Sequence, residues 1–127
     1  PIPVFNRGEM QRDFTYIDDI AAGVIAALDK PPADDETRKP GGSRAPHAVY
    51  NLGNSHPEPL LKVIGIIEDA CGHKAVLDMQ PMQQGDVPCT FADIAETERD
   101  LGWRPTTPVE RGFPEFVRWF REYHALT

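Results

Sequence analysis

The side chain best equipped for chemistry is Arg12. Its planar guanidinium presents a fork of donors that matches phosphate oxygens two at a time. A second candidate lies in the turn Gln83-Gln84-Gly85-Asp86. There Gln83 supplies a neutral amide and Asp86 a carboxylate that accepts hydrogen bonds, although acids after glycine are also common turn residues. Arg12 has an ordinary alternative too, as a strand-end cation paired with Asp13 or Asp19. Val4 and Phe5 read as part of a buried strand. The doublet Asp18-Asp19 invites a paired-carboxylate reading, but two acids opening a helix complement its positive end and need no catalytic role. Cys71-Gly72-His73 lacks a second ligand pair at metal-site spacing. His47, His56 and His124 are scattered, with no serine or cysteine placed as a nucleophile. Tyr16, Tyr50 and Tyr123 have no lysine four residues later, and no glycine-rich dinucleotide fingerprint follows a strand. The chain therefore holds candidate binding groups but no complete active site.

The elements that must position these groups are short. Pro1 to Asn6 is apolar and extended, and residues 12–17 alternate polar with apolar and aromatic side chains, which predicts a strand. Asp18 or Asp19 is expected to cap a helix whose apolar face is Ile17, Ile20, Ala21, Val24 and Leu28, stopped by Pro31-Pro32. Residues 31–47 hold almost no large apolar side chain and are expected to form a mobile surface loop. A strand is predicted at 48–52. A helix capped by Ser55 then buries Leu60, Val63, Ile64, Ile67 and Cys71 and stops at Gly72. A short strand follows at 75–79, and a loop at 80–88. Asp93 with Glu96 resembles a capping box opening a helix to Leu101. Pro108 opens a last helix with the stripe Val109, Phe113, Phe116, Val117 and Phe120. Strands alternating with helices give an α/β lobe of short strands and about four helices.

The 127 residues are 40% hydrophobic and 26% charged, which suits one globular unit and not a disordered chain. No apolar run is long enough to cross a membrane. A formal charge of -7 disfavours a general nucleic-acid surface, while a small anion held by one or two arginines stays compatible with it. Two cysteines, Cys71 and Cys89, form no framework and are expected to be reduced thiols of a cytoplasmic protein. The chain opens on Pro1 inside a strand-like run, so a carboxyl-terminal piece of a longer protein is expected.

The string Met10-Gln11-Arg12-Asp13-Phe14-Thr15-Tyr16-Ile17-Asp18-Asp19 carries the most specific signal. It resembles the R-D-F/Y-x-Y/H segment of extended short-chain dehydrogenase/reductases, in their NAD-dependent epimerase/dehydratase branch and nearest its UDP-glucuronate 4-epimerase group. Tyr50 to Ser55, Met82 to Val87, Ala92-Asp93 and Leu101 to Pro105 match in the same order. The resemblance implies a carboxyl-terminal nucleotide-sugar-binding lobe, spanning residues 1–127, that packs on a Rossmann domain lying upstream. That upstream domain would bind NAD and supply the catalytic tyrosine, so this chain alone would be inactive. Arg12 would contact the substrate diphosphate, Asp86 the ribose hydroxyls, and Val4 and Phe5 the uracil. Related epimerases commonly have R-x-G-D in the later turn. Here Gln83 replaces that arginine, as in the UDP-glucuronate branch, and adds no positive charge. The implied activity is 4-epimerisation of the UDP-glucuronate/UDP-galacturonate type by a cytoplasmic homodimer. A nucleotide-sugar 4,6-dehydratase or decarboxylase, and a non-catalytic nucleotide-sugar-binding module, are the alternatives. A glycine-rich βαβ unit and Y-x-x-x-K upstream of Pro1 would favour the enzyme.

Overall fold

Apolar runs cut short by proline and glycine give short elements. In the computed structural model, which describes residues 1–126, β1 (Ile2–Val4) leads into a 3-10 turn at Phe5–Gly8. Then come β2 (Gln11–Arg12), α1 (Ile17–Asp29), β3 (Glu58–Pro59), α2 (Leu60–Cys71), β4 (Leu77–Met79), α3 (Ala95–Leu101) and α4 (Val109–Tyr123). The α/β class holds: among the described residues there are four helices and two sheets of two strands each. β1 runs parallel to β4 with Val4 opposite Met79, and β2 antiparallel to β3 with Arg12 opposite Glu58. β2 is also bonded on its other side. Gln11 N–H donates to the Pro88 carbonyl at 2.8 Å, and Thr90 N–H donates to the Gln11 carbonyl at 3.2 Å.

Several expected elements are shorter or differently held. The strand predicted at 12–17 stops after Arg12, because Asp13 turns its N–H to Thr90 Oγ1 at 3.0 Å instead of a ladder partner. Residues 48–52 make no strand among the described residues. The Asn51 carbonyl accepts the Thr97 hydroxyl at 2.7 Å, and Tyr50 and Leu52 lie against the core. Ser55 caps nothing. Its N–H points at Asp13, Pro57 and Pro59 favour extended backbone before them, and α2 starts only after Pro59. Asp93 does hold the start of α3, accepting the Ala95 N–H at 3.0 Å, but Glu96 reaches towards Arg99 and no capping box closes. Residues 31–47 contain no helix or strand. Their order is local, with Lys39 on Asp35 and Val49 N–H on the Pro40 carbonyl.

The largest departure is α1. It forms over the expected residues, yet Ile17, Val24 and Leu28 are 67%, 48% and 75% exposed. The opposite, small-residue side is the one that packs. Ala26 and Ala27 meet the core cluster of Ile94, Leu101 and Trp103. A Cβ on Gly23 would lie 2.7 Å from Leu52 Cδ2, so glycine is needed for this close approach. In α4, Val109, Gly112 and Val117 are buried while Phe116 and Phe120 stay half open. Phe113 meets Phe14 edge to face, with ring centroids 5.3 Å apart.

Nor does either acid cap α1; Tyr16 stands at the cap without a side-chain bond. Asp19 is buried and clamps α1 to the stretch before α4. Its carboxylate accepts the Thr107 N–H at 2.9 Å and the Thr106 hydroxyl at 3.1 Å, while its carbonyl accepts Trp103 Nε1 at 2.8 Å. Burial pushes the Asp19 carboxyl up, but the bonds from Thr107 and Thr106 outweigh burial and leave it below its ordinary 3.8. A lowered carboxyl stabilises the fold above its unfolded value of about 3.9, and that stabilisation is lost as pH falls through the lowered folded value. Asp19→Ala is expected to cost about 2–3 kcal/mol in urea unfolding at pH 7, since the buried Thr107 N–H loses a charged acceptor. The difference from the parent chain should shrink as the titration descends below pH 4; a gap that is constant with pH would remove the carboxylate from the clamp.

Candidate functional site

β1 ends in an unusual turn. Asn6, Arg7 and Gly8 have φ of 49°, 53° and 81°, three left-handed residues in succession. A non-glycine residue there costs on the order of 1 kcal/mol or more, least for asparagine. Asn6 Nδ2 fixes the turn by donating to the Glu9 carbonyl at 2.7 Å, and Arg7 N–H donates to the Gln80 carbonyl at 3.0 Å. The loop at 80–88 therefore leaves β4 beside Phe5–Arg7 and returns to β2 at Pro88. It spans the gap between the two sheets, and the candidate residues sit along it or at its ends.

Arg12 closes this loop from below. Its Nη1 donates to the carbonyls of Val87 at 2.9 Å and Gln11 at 2.8 Å, and its Nη2 meets Asp86 Oδ1 at 2.7 Å. Met10 Sδ lies 3.9 Å from the same Nη2. Asp86 Oδ1 also accepts the Val87 N–H at 2.8 Å. The side chains of Arg12 and Asp86 are 23% and 32% exposed, so the pair lies at an open edge and not inside the core. Gly85, at φ 85° with open space around it, makes the bend that brings Asp86 back to Arg12. The ordinary alternative for Arg12, a bond to Asp13 or Asp19, is not what forms. Gln83 takes part through its carbonyl, which accepts the Asp86 N–H at 3.2 Å, and its side chain is exposed. Val4 is buried to 1% exposure and its carbonyl accepts Gln80 N–H, whereas Phe5 in the turn is half-buried. Gln83 and Asp86 thus lie on one loop, Arg12 is bonded to it, and Val4 is bonded to its first residue, while Phe5 sits in the adjoining turn.

The residue that sequence reasoning missed is Asp13. Its carboxylate accepts three backbone N–H groups: Ser55 at 3.0 Å, His56 at 3.3 Å and Ala92 at 2.9 Å. It ties the residues after Arg12 to two distant segments and so sets where Arg12 points. Only its place next to Arg12 drew notice in the sequence; a lone acid gives no signal that it will collect backbone donors from positions 42 to 79 residues away.

An apolar cleft of about 270 Å³ lies nearby, lined in part by Phe14, Tyr16, Ile17, Pro108, Phe113 and Phe116. None of the five candidates lines it. Among the described residues no group of three histidines, cysteines or acids stands ready for a metal, and no helix is long and apolar enough to cross a membrane. Nor do these residues suit NAD. A dinucleotide phosphate needs a glycine-rich turn at a helix start free of negative charge. Here α1 opens on Asp18 and Asp19, α3 on Glu96 and α4 on Glu110, and α2 follows Pro59 and the buried Glu58.

Known proteins are similar to this chain. Residues 1–56 match the NAD dependent epimerase/dehydratase family model. UDP-glucuronate 4-epimerase 4 of Arabidopsis thaliana is 42% identical over 123 residues, covering 94% of this chain and 28% of its own length. Protein CapI of Staphylococcus aureus is 38% identical over 128 residues, covering 97% of this chain and 38% of its own. A solved structure of UDP-glucuronic acid 4-epimerase from Bacillus cereus, in complex with UDP-glucuronic acid and NAD, superposes with a TM-score of 0.71 at 28% identity. It covers 94% of this chain and 36% of that one. The chain thus spans well under half the length of these relatives.

Asp13→Ala is expected to destabilise the chain by about 2–3 kcal/mol, because three amides lose a charged acceptor. Amide hydrogen exchange should locate the loss, with the Ser55 and Ala92 N–H groups accelerating more than those of α2. Unaltered exchange at both would show that the three bonds do not hold the segments together.

Proposed function

This chain belongs to the NAD dependent epimerase/dehydratase family, and from that we propose that it is the substrate-binding lobe of a nucleotide-sugar 4-epimerase of the UDP-glucuronate/UDP-galacturonate type. The observation that carries this reading is the meeting of Arg12 and Asp86 at 2.7 Å on an open edge, at a loop whose first residue is bonded to Val4 and Arg7 on either side of Phe5. A cation, an acid and an aromatic at one loop and its adjoining turn suit a diphosphate, a ribose and a base in turn. In this arrangement Arg12 offers a diphosphate the Nε and Nη2 hydrogens that its bonds to Gln11, Val87 and Asp86 leave over, Asp86 accepts ribose hydroxyls, Gln83 offers an amide, and Val4 and Phe5 lie along the uracil. The type of sugar follows the Arabidopsis thaliana and Bacillus cereus relatives, which are named as 4-epimerases of UDP-glucuronate.

The chain's part in the reaction is to hold the end of the substrate that does not react. Binding energy gathered on UDP keeps the sugar in place without blocking its movement. NAD supplies the hydride chemistry, and in this reading it is bound by an upstream Rossmann domain together with the catalytic tyrosine. That same domain covers the exposed flank of α1, whose Ile17, Val24 and Leu28 are otherwise left in water. A reduced, cytoplasmic homodimer completes the reading; both cysteines are free thiols here.

In the protein expressed from its natural reading frame, Arg12→Ala is expected to weaken UDP-sugar binding by roughly 1.5–3 kcal/mol, the range for a hydrogen bond to a charged group. Isothermal titration measures it, and an unchanged Kd takes Arg12 out of the site. The 127-residue chain by itself, given UDP-glucuronate and NAD, should form no UDP-galacturonate by anion-exchange chromatography. Turnover by the purified chain would contradict the division of labour.

A further inference from the structure

We infer that Lys62 is a positioning residue for Arg12: by holding the buried Glu58 it keeps that acid from capturing the guanidinium. This rests on the reading above, in which Arg12 meets the UDP of the substrate. Glu58 stands directly opposite Arg12 in the ladder of β2 and β3. Residues so paired share a face of the sheet, with Cβ atoms about 4.5–5.5 Å apart, and an acid opposite an arginine is an attractive pair. Yet among the described residues the carboxylate that meets Arg12 is Asp86, from a loop 74 positions away. Asp86 lies at an open edge, whereas Glu58 is 5% exposed. Attraction between charges is stronger away from water, so on position and burial Glu58 is the better placed of the two acids.

The contacts of Glu58 account for the choice. Its Oε2 accepts Lys62 Nζ at 2.7 Å, and Glu110 Oε1 on α4 holds the same Nζ at 2.7 Å. Lys62 sits in the first turn of α2, four residues after Glu58, and is fixed from both sides. The other neighbour, His56 Nε2, is 3.6 Å from Glu58 Oε1, beyond hydrogen-bond distance, and its ring is mostly exposed, so it adds little. Without the ammonium, Glu58 is a buried carboxylate with no close cation, which is a costly state. The acid cannot escape by moving its backbone. It lies between Pro57 and Pro59, and a residue before proline is kept extended. Arg12, across the ladder, is the cation in register with it. A guanidinium drawn to Glu58 gives up its bonds to Asp86 and to the Val87 carbonyl, and with them its place at the 80–88 loop.

Calorimetric titration with UDP tests this in the protein expressed from its natural reading frame. Lys62→Met keeps the unbranched side chain and removes the charge. It should raise the Kd for UDP about fivefold or more, the loss when Arg12 is captured in about four-fifths of the molecules. Adding Glu58→Gln to Lys62→Met should restore the parent Kd, because the acid that captures Arg12 is then gone. Adding Lys62→Met to Arg12→Ala should cost no further affinity. A general loosening of the lobe weakens binding in the Arg12→Ala background as well, so this arm separates positioning from packing. Should Lys62→Met fail to fold, Lys62→Gln, which leaves Glu58 a neutral donor, replaces it in every arm. An unchanged Kd in the lysine variant overturns the inference. So does a loss that Glu58→Gln leaves in place, or one that persists without Arg12. If Arg12→Ala weakens UDP binding and these arms fail, only the role of Lys62 falls. If the parent does not bind UDP, or Arg12→Ala leaves its Kd unchanged, the reading of Arg12 falls with it.

Discussion

The carboxylate of Asp13 is the point from which much of this fold is held. Its two oxygens accept backbone N–H groups from Ser55, His56 and Ala92, while its own N–H goes to Thr90. The sheets cannot do this work, because their strands are two or three residues long and offer few ladder bonds. Backbone donors in the connecting segments need acceptors all the same, and an acid can serve several at once. The close approach that results is reflected in Gly53: a Cβ there would stand 2.3 Å from the Ala92 Cβ, so the two segments meet only because that position carries none. Arg12, one residue before the knot, inherits its direction from it.

Two more acids join distant parts of the chain in the same way. Asp19 fastens α1 to Thr106 and Thr107, and the buried Glu58 meets Lys62, which in turn reaches Glu110 on α4. Attraction to Glu110 and Glu58 raises the Lys62 ammonium above its usual value, as expected for a cation shared between two carboxylates. Part of the net negative charge is therefore spent on internal ties. The guanidinium and carboxylate at the 80–88 loop form another such tie, already in contact.

The sequence made the candidate strip more legible than the elements. Arg12 and Asp86 are 74 positions apart, and no periodicity relates them; their meeting was expected only through resemblance to a family. Helices were legible where glycine ends them, as at Gly72 and Gly102, or proline opens them, as at Pro108, since these residues act on the backbone wherever the chain goes. Strands were not. Residues 13–16 have the alternation of a strand and 48–52 its apolar and aromatic residues, but such patterns state only which side chains want burial, and strand formation also needs a partner with free N–H and C=O groups. At 13–16 the partner is the Thr90 side chain, and at 51 it is the Thr97 hydroxyl. Asp13 and Asp19 were read as a neighbour and a cap, because a side chain's long-range partners leave no trace in local spacing.

The reversal of α1 carries a further argument. The sequence places large apolar residues on one flank and small ones, Gly23, Ala26 and Ala27, on the other, and it is the small flank that packs on Trp103 and Leu52. A helix needs small residues where another backbone or a large ring comes close, and large ones where there is space to fill. Having both, α1 packs through its small flank and leaves its large one open. Burying a Val, Leu or Ile side chain contributes about 1.5–3 kcal/mol, so an open flank of Ile17, Val24 and Leu28 forgoes several kcal/mol. The Asp19 clamp to Thr106 and Thr107 holds α1 by its packed flank, so the helix keeps its place although its large side chains stay open.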